Sequence, residues 1–304
     1  MGYHGSVDRR LILGICLAGA CHAELGISPD GQPAKDARGD GSALMIDAPS
    51  IDAPLGPWGT PAAVTNAADP TIDQDDCTLS STQLELFFAI PDTTISGDPK
   101  DLYVLTRATT SDPWGAKTKL TTLDTSATEE SPRLSLDDLT LYFGRNGDIY
   151  QSKRSAVGQP WGTPTAVTEV NSAAYEKWLA VCQNGYYMVS RDAGATGQDL
   201  YVGQLGGATP APATELNSAD SEISSFLSTD CKTTYFASNR SGQTQLYTAT
   251  RPDPTSPFTT PTLVTDFGTA TDNEDPWESA DQKTFVFATI RGTDTHKAVY
   301  LSTR

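Results

Sequence analysis

The chain has 304 residues, 38% of them hydrophobic, enough to bury the core of one large domain or two small ones, so disorder throughout is excluded. Lys and Arg number 21 against 38 Asp and Glu, a formal net charge of −17 that argues against nucleic acid or an anionic membrane face as partner and suits a cation or plain solubility. The 25 Gly and 20 Pro in a dense Thr, Ser and Asp background describe a turn-rich β protein, and only His296 lies clear of the N-terminal targeting region, so any histidine-dependent site must use it.

The first element is an address. Arg9 and Arg10 precede the apolar run Leu11 to Leu17, which leads into Ala18-Gly19-Ala20-Cys21. This is a charged segment, a stretch too short to span a bilayer, and small residues before a cut site, so residues 1–20 read as a signal peptide. The three small residues ahead of Cys21 resemble a bacterial lipobox, which implies lipidation of Cys21. Ala18 departs from that pattern, where Leu is usual, and a soluble periplasmic or secreted form is the alternative. His22 at the next position implies outer-membrane sorting. Residues 21–56 lack any sustained period and read as a flexible tether. The Arg38-Gly39-Asp40 triplet belongs to that linker.

From residue 57 onward three phrases recur in fixed order. A Pro-aromatic-Gly opening stands at Pro57-Trp58-Gly59, Pro113-Trp114-Gly115 and Pro160-Trp161-Gly162, weakening to Pro257-Phe258 and Pro210-Ala211-Pro212. An acidic residue then leads an apolar strand, a turn and a β-prone strand, as in Glu130 to Phe143 and Glu274 to Phe287. A short strand around Tyr103, Tyr150, Tyr201, Tyr247 and Tyr300 follows, at spacings of 47, 51, 46 and 53 residues. A period near 50 with three or four short strands per unit matches propeller blades.

The second unit sets the expected strands: A over Arg133–Leu136, B over Thr140–Gly144, C over Asp148–Lys153 and D over Trp161–Thr168. The region opens with a lone D strand, Trp58–Thr65, and ends at Arg304 after a C strand. Pairing the two ends completes an all-β, five-bladed propeller of four-stranded blades over residues 57–304, with no open blade edge.

The phrases Pro132-Arg-Leu-Ser-Leu-Asp137, Leu141-Tyr-Phe143, Arg145-Asn-Gly147 and Asp148-Ile-Tyr150 resemble the WD40-like repeat of TolB-type propellers and bacterial secreted lipoproteins. The resemblance covers about four-fifths of the chain. It departs at the A–B turn glycine, replaced by Gln83, Asp138, Cys231 and Gln282, and the chain has no room for the six blades and extra domain of TolB itself.

Counting back from strand B, without a gap in four units and with one extra residue between Glu222 and Phe236 in the fourth, places an acid at one aligned position of every unit: Asp75, Glu130, Glu176, Glu222 and Glu274. With strand A innermost, these would ring one mouth of the axial channel. They would there attract a cation such as calcium or a basic peptide. The competing reading is that each carboxylate accepts hydrogen bonds from loop N–H groups of its neighbouring blade. Trp178 and Trp277 near that mouth are ligand-contact candidates, whereas Trp58, Trp114 and Trp161 recur with the fold and read as blade packing. Arg145, Arg191, Arg240 and Arg291 read as partners of acidic loops, and the Asp of Asp101, Asp148 and Asp199 as a turn cap. Of Cys77, Cys182 and Cys231, the last two fall in the A–B region of consecutive blades and are the expected disulfide in an oxidising compartment.

With no motif for a nucleophile and base, the expected function is a non-enzymatic, monomeric envelope lipoprotein whose propeller binds a protein or peptide without a cofactor. The alternative is a glycoside hydrolase using channel-mouth carboxylates, since two carboxyl groups at suitable separation work without histidine. Against it, these acids follow the repeat, whereas catalytic residues usually break it.

Overall fold

The structure, a computed structural model, describes residues 55–97, 99–194, 197–268 and 270–304. The signal peptide, Cys21 and the tether up to residue 54 lie outside the described residues. Twenty short strands are found among the residues described, beginning with β1 (Ala62–Ala63). Blade one is β2 (Asp75–Leu79), β3 (Glu85–Pro91), β4 (Lys100–Thr106) and β5 (Thr118–Lys119). Blade two is β6 (Glu129–Leu134), β7 (Thr140–Arg145), β8 (Asp148–Lys153) and β9 (Thr165–Ala166). Blade three is β10 (Glu176–Val181), β11 (Tyr186–Asp192), β12 (Gln198–Gln204) and β13 (Ala211–Pro212). Blade four is β14 (Glu222–Leu227), β15 (Thr233–Ser238), β16 (Gln245–Thr250) and β17 (Thr262–Leu263). Blade five is β18 (Asp272–Glu278), β19 (Thr284–Ile290) and β20 (Ala298–Thr303), completed by β1 from the other end of the chain. All pairings within the blades are antiparallel, and the five innermost strands pack in a ring.

The latch is the pairing Ala62↔Leu301 and Ala63↔Tyr300, extended by Gly59 N–H donating to the Thr303 carbonyl (2.8 Å) and Val64 N–H to that of Val299 (2.9 Å). Outer strands are shorter than the eight residues expected, two in each blade. Their flank is held instead by the Gly of the Pro-Trp-Gly phrase, whose N–H donates to the neighbouring C strand: Gly115 to Thr106 and Gly162 to Lys153. A Cβ on Gly162 would stand 3.0 Å from that same carbonyl oxygen, which explains why the phrase keeps glycine there.

The core is divided among the five seams between blades. Phe87 of blade one meets Phe143 and Trp161 of blade two, and Phe267, Phe285 and Phe287 cluster between blades four and five. Two devices repeat around the ring. Each innermost strand carries a bulge at a residue in the left-handed region: Asp76, Ser131, Trp178, Ser224 and Asp275, with φ from 53 to 58°. The A–B turns likewise hold Gln83, Asp138, Cys231 and Gln282 at φ 58 to 62°, where the related repeat keeps glycine.

An arginine braces each of those four turns. Arg107, Arg154, Arg251 and Arg304 donate Nε–H to the carbonyls of Gln83, Asp138, Cys231 and Gln282 at 2.6 to 2.9 Å. The same guanidinium groups lie 4.0 to 4.4 Å from the ring centres of Trp114, Trp161, Phe258 and Trp58. The recurring tryptophans are therefore both seam packing and a face for these arginines. Blade three has Leu205 at the equivalent position. There Gln204 donates to the Asn184 carbonyl at 3.0 Å, and a disulfide between Cys182 and Cys231 (Cα–Cα 5.5 Å) ties the turn to blade four.

Candidate functional site

The bulge residues give every innermost strand a common origin, and on that origin the five aligned acids separate into two sets. Asp75, Glu130 and Glu274 each stand one position before the bulge. In blades three and four that position holds Lys177 and Ile223, and Glu176 and Glu222 stand one residue earlier, level with Gln74, Glu129 and Asn273. The cause is the shortened turn at Gln183–Gly185. Val189 follows its bulge residue by 11 positions, whereas Phe88, Phe143, Phe236 and Phe287 follow theirs by 12. Counting back from strand B lands one residue early in blade three, and the extra residue assumed in blade four does not exist.

The outer set is structural. Glu129, Glu176 and Glu222 are buried, and each accepts from the backbone N–H of a loop residue four positions earlier, Thr125, Ser172 or Ser218, at 2.9 to 3.2 Å. Arg145, Arg191 and Arg240 close the other side at 2.8 to 2.9 Å. Asp101 does not cap a turn: it faces the Lys119 ammonium at 2.8 Å, which also lies 2.9 Å from Asp124. His296, the one histidine of the folded unit, lies 3.4 Å from Asp73.

The inner set closes the acidic mouth. Lys100 Nζ lies 2.7 Å from Asp75 and 3.0 Å from Asp76, Lys177 Nζ lies 2.9 Å from Glu130, and Lys297 pairs with Glu274. The bulge residues join across the axis. The Trp178 indole N–H donates to Asp76 Oδ1 (2.7 Å), the Ser131 hydroxyl to the same oxygen (3.3 Å), and Asp76 N–H to Asp275 Oδ2 (2.6 Å). Deeper, Arg133 donates to the carbonyls of Cys77 (2.7 Å) and Ser225 (3.3 Å), and the Ser225 hydroxyl donates to the Trp178 carbonyl (2.7 Å). All five innermost strands are thus cross-linked by polar contacts, and Asp76 and Asp275 are 1% and 0% exposed.

Burial alone would raise the Asp76 carboxyl, but the ammonium groups of Lys100 and Lys177 and the Trp178 hydrogen bond hold it well below the usual carboxylate range. Its neighbours take the opposite course. Burial and the negative charge of Asp76 push Asp75 up to about 7, and burial with the same or an adjacent carboxylate raises Glu130, Glu274 and Asp275. One ionised carboxylate therefore sits among several that resist ionisation. Cys77, buried beside Asp275, has its thiol pushed well up by burial.

Trp178 and Trp277, expected together, are at different levels. Trp178 is the blade-three bulge residue inside the acidic plug. Trp277 lies two positions past its own bulge and lines a cavity of about 180 Å³ at the opposite mouth. Phe226, Leu134, Leu79 and Val181 form the walls of that cavity, Arg133 and Glu278 are its charged members beside Asp138, and Leu136 stands 43% exposed at its edge. Arg133 keeps one buried guanidinium nitrogen, Nη2, without a hydrogen-bond partner, as does Asp275 with Oδ1. A second cavity of about 290 Å³ adjoins the first and shares Thr229, Glu278 and Ala280 with it.

Glu278 is not part of the repeated pattern of acids. The equivalent residues of the other blades are Leu79, Leu134, Val181 and Leu227, all packed in seams, so a carboxylate there breaks the pattern. It is 5% exposed and meets the Tyr235 hydroxyl and Arg304 Nη2, both at 3.3 Å. Burial raises its carboxyl to about 7 against the opposing effect of Arg304.

No family model matches the chain, and no curated protein matches it in sequence. Its fold is similar to that of the alpha-L-arabinofuranosidase from Podospora anserina solved with cellotriose, at a TM-score of 0.55 and 11% identity over 81% of this chain and 96% of that one. The catalytic domain of the Coprinopsis cinerea GH62 alpha-L-arabinofuranosidase gives a TM-score of 0.56 at the same identity and coverages. A putative TolB from Agrobacterium tumefaciens aligns at a TM-score of 0.49 and 18% identity over 79% of this chain and 82% of that one. At such identities the arabinofuranosidases share the propeller with this chain, and the likeness extends to the fold alone.

Proposed function

We propose that this chain is a non-enzymatic binding module that holds a protein or peptide segment at the apolar mouth of its propeller. The observation that carries this reading is the difference in access between the two mouths. The inner carboxyl groups that a hydrolase would use are closed off by their partners: Lys100 lies on Asp75 and Asp76, Lys177 on Glu130 and Lys297 on Glu274, and Asp275 accepts from Asp76 N–H across the axis. The opposite mouth offers an apolar-walled cavity edged by an exposed leucine. Export and lipid anchoring at Cys21 in the cell envelope belong to the same proposal and rest on Arg9-Arg10, the apolar run and the lipobox-like residues. No helix among the described residues is long and apolar enough to cross a membrane.

A glycan-active enzyme is the second reading. It draws on the split between an ionised Asp76 and its protonation-prone neighbours, the arrangement that acid–base pairs use, and on the fold shared with arabinofuranosidases. A sugar would have to displace Lys100, Lys177 or Lys297 to reach those groups.

A photo-crosslinking amino acid placed at Leu136, or at Tyr175, which is exposed with its ring centre 5.2 Å from the Lys177 ammonium of the acidic mouth, separates the two readings in envelope extract. Binding at the apolar mouth predicts one dominant adduct from position 136 and none from 175. Adducts confined to position 175, or reducing sugar released from a polysaccharide panel and lost in Asp76→Asn, would reverse the ranking.

A further inference from the structure

We propose that the apolar mouth recognises a lysine or arginine side chain of the bound segment, with Glu278 as its counter-ion. This inference rests on the reading of that mouth as the peptide-binding end.

Three observations converge on it. First, the adjoining cavities carry three carboxylates, Asp138, Asp230 and Glu278, against the single guanidinium of Arg133. Two of the acids are already committed: Asp138 accepts from Ser81 N–H and hydroxyl, and Asp230 from the Ser228 hydroxyl and Lys232 N–H. Arg133 is turned to the carbonyls of the plug. Second, both hydrogen bonds to Glu278 fall on Oε1 and are long, which leaves Oε2 for a ligand. Third, Phe226 and Trp277 stand 6.4 Å apart, ring centre to ring centre, beside Glu278 in the same cavity wall. An aliphatic stem ending in a cation matches such walls, since it buries methylenes against the rings while its head reaches the carboxylate. A net charge of −17 steers cationic segments toward the protein in any case.

The charged and titratable groups facing Glu278 are Arg304 and Tyr235, with Asp281 further off. Arg304 is itself held over Trp58 and by the Gln282 carbonyl, so it stabilises the carboxylate without enclosing it. With its carboxyl raised to about 7, Glu278 is mostly neutral at pH 6 and ionised at pH 8, and the preference for a cation should rise across that interval.

The test uses blocked pentapeptides Ac-Gly-Gly-X-Gly-Gly-amide, with X lysine, arginine or norleucine, titrated against the folded protein while the Trp277 indole N–H resonance is followed. Norleucine keeps the stem and lacks the charge. The lysine and arginine peptides are expected to bind at least tenfold more tightly than norleucine at pH 8 and about threefold more tightly at pH 6. Glu278→Leu, which restores the residue type of the other blades and so preserves folding, should equalise all three peptides at both pH values, as should Glu278→Gln. Equal binding of norleucine and lysine by the native protein would overturn the inference while leaving a peptide-binding mouth. If no peptide moved the Trp277 signal at millimolar concentration, both readings would fall.

Discussion

The two mouths of this propeller are made from the same five strands and differ in what covers them. At the acidic mouth, each of the three acids preceding a bulge has a lysine, and the bulge residues themselves bond across the axis. At the apolar mouth, two residues past the bulge, Thr78, Arg133, Ala180, Phe226 and Trp277 differ in size and leave a cavity. The lesson is that a concentration of charge in a sequence is no sign of an accessible site. Buried ions demand partners, and a fold that brings several acids together brings their counter-ions with them. The side that needs no such pairing is free to stay open.

Breaking the acidic mouth should therefore be costly. Lys100→Met strands Asp75 and Asp76 without their ammonium group, and a loss of about 3–5 kcal/mol in chemical denaturation is expected. A loss below about 1 kcal/mol would mean that water, not lysine, compensates those carboxylates. Next in size, Cys182→Ala with Cys231→Ala removes a crosslink between residues 49 apart and should cost about 2–4 kcal/mol by the same measurement. The thermal midpoint of the native protein should fall correspondingly on reduction.

Glu278 sharpens the contrast from the other side. Its folded-state carboxyl lies near 7 against an ordinary value of 4.5, so the folded protein holds that proton more tightly than the unfolded chain. Its contribution to stability is fully present below pH 4.5 and is lost as the pH rises through 7, a difference of about 3 kcal/mol at most. Glu278→Leu should thus raise stability at pH 8 and flatten the decline between pH 5 and pH 8. Asp75, raised to about 7 at the acidic mouth, keeps part of the slope. A variant as pH-dependent as the native protein would show that Arg304 keeps Glu278 ionised throughout. The smallest effect belongs to Leu136→Ser at the exposed edge, within about 0.5 kcal/mol of native stability, while peptide binding at that mouth weakens.

The blade count, the fourfold strand pattern and the closing latch were legible because they depend on periodicity, which tolerates single-residue errors. The site was not, because it depends on phase. One residue missing from the turn at Gln183–Gly185 shifts Glu176 out of the position held by Asp75, Glu130 and Glu274, and nothing in the local sequence marks the shift. The counter-ions were equally hidden: Lys100 and Lys297 each stand three residues before a repeated tyrosine, but Lys177 sits in an A strand, so no single phrase announces all three. Two signals of the site do stand in the sequence. An arginine or its substitute follows each repeated tyrosine by four residues, at Arg107, Arg154, Leu205, Arg251 and Arg304, and Glu278 interrupts a column of Leu and Val. Deviations from a repeat, not its invariant parts, locate the candidate site.

Hydrogen exchange at the Trp178 indole tests the sealed acidic mouth most directly, because that N–H donates to Asp76 at the centre of the plug. Protection close to that of the most stable backbone amides, unchanged by added arabinoxylan oligosaccharides, is the predicted result. Exchange approaching that of a free indole, or a shift of the Trp178 resonance on adding the sugar, would show an open, ligand-accessible acidic mouth and contradict the account.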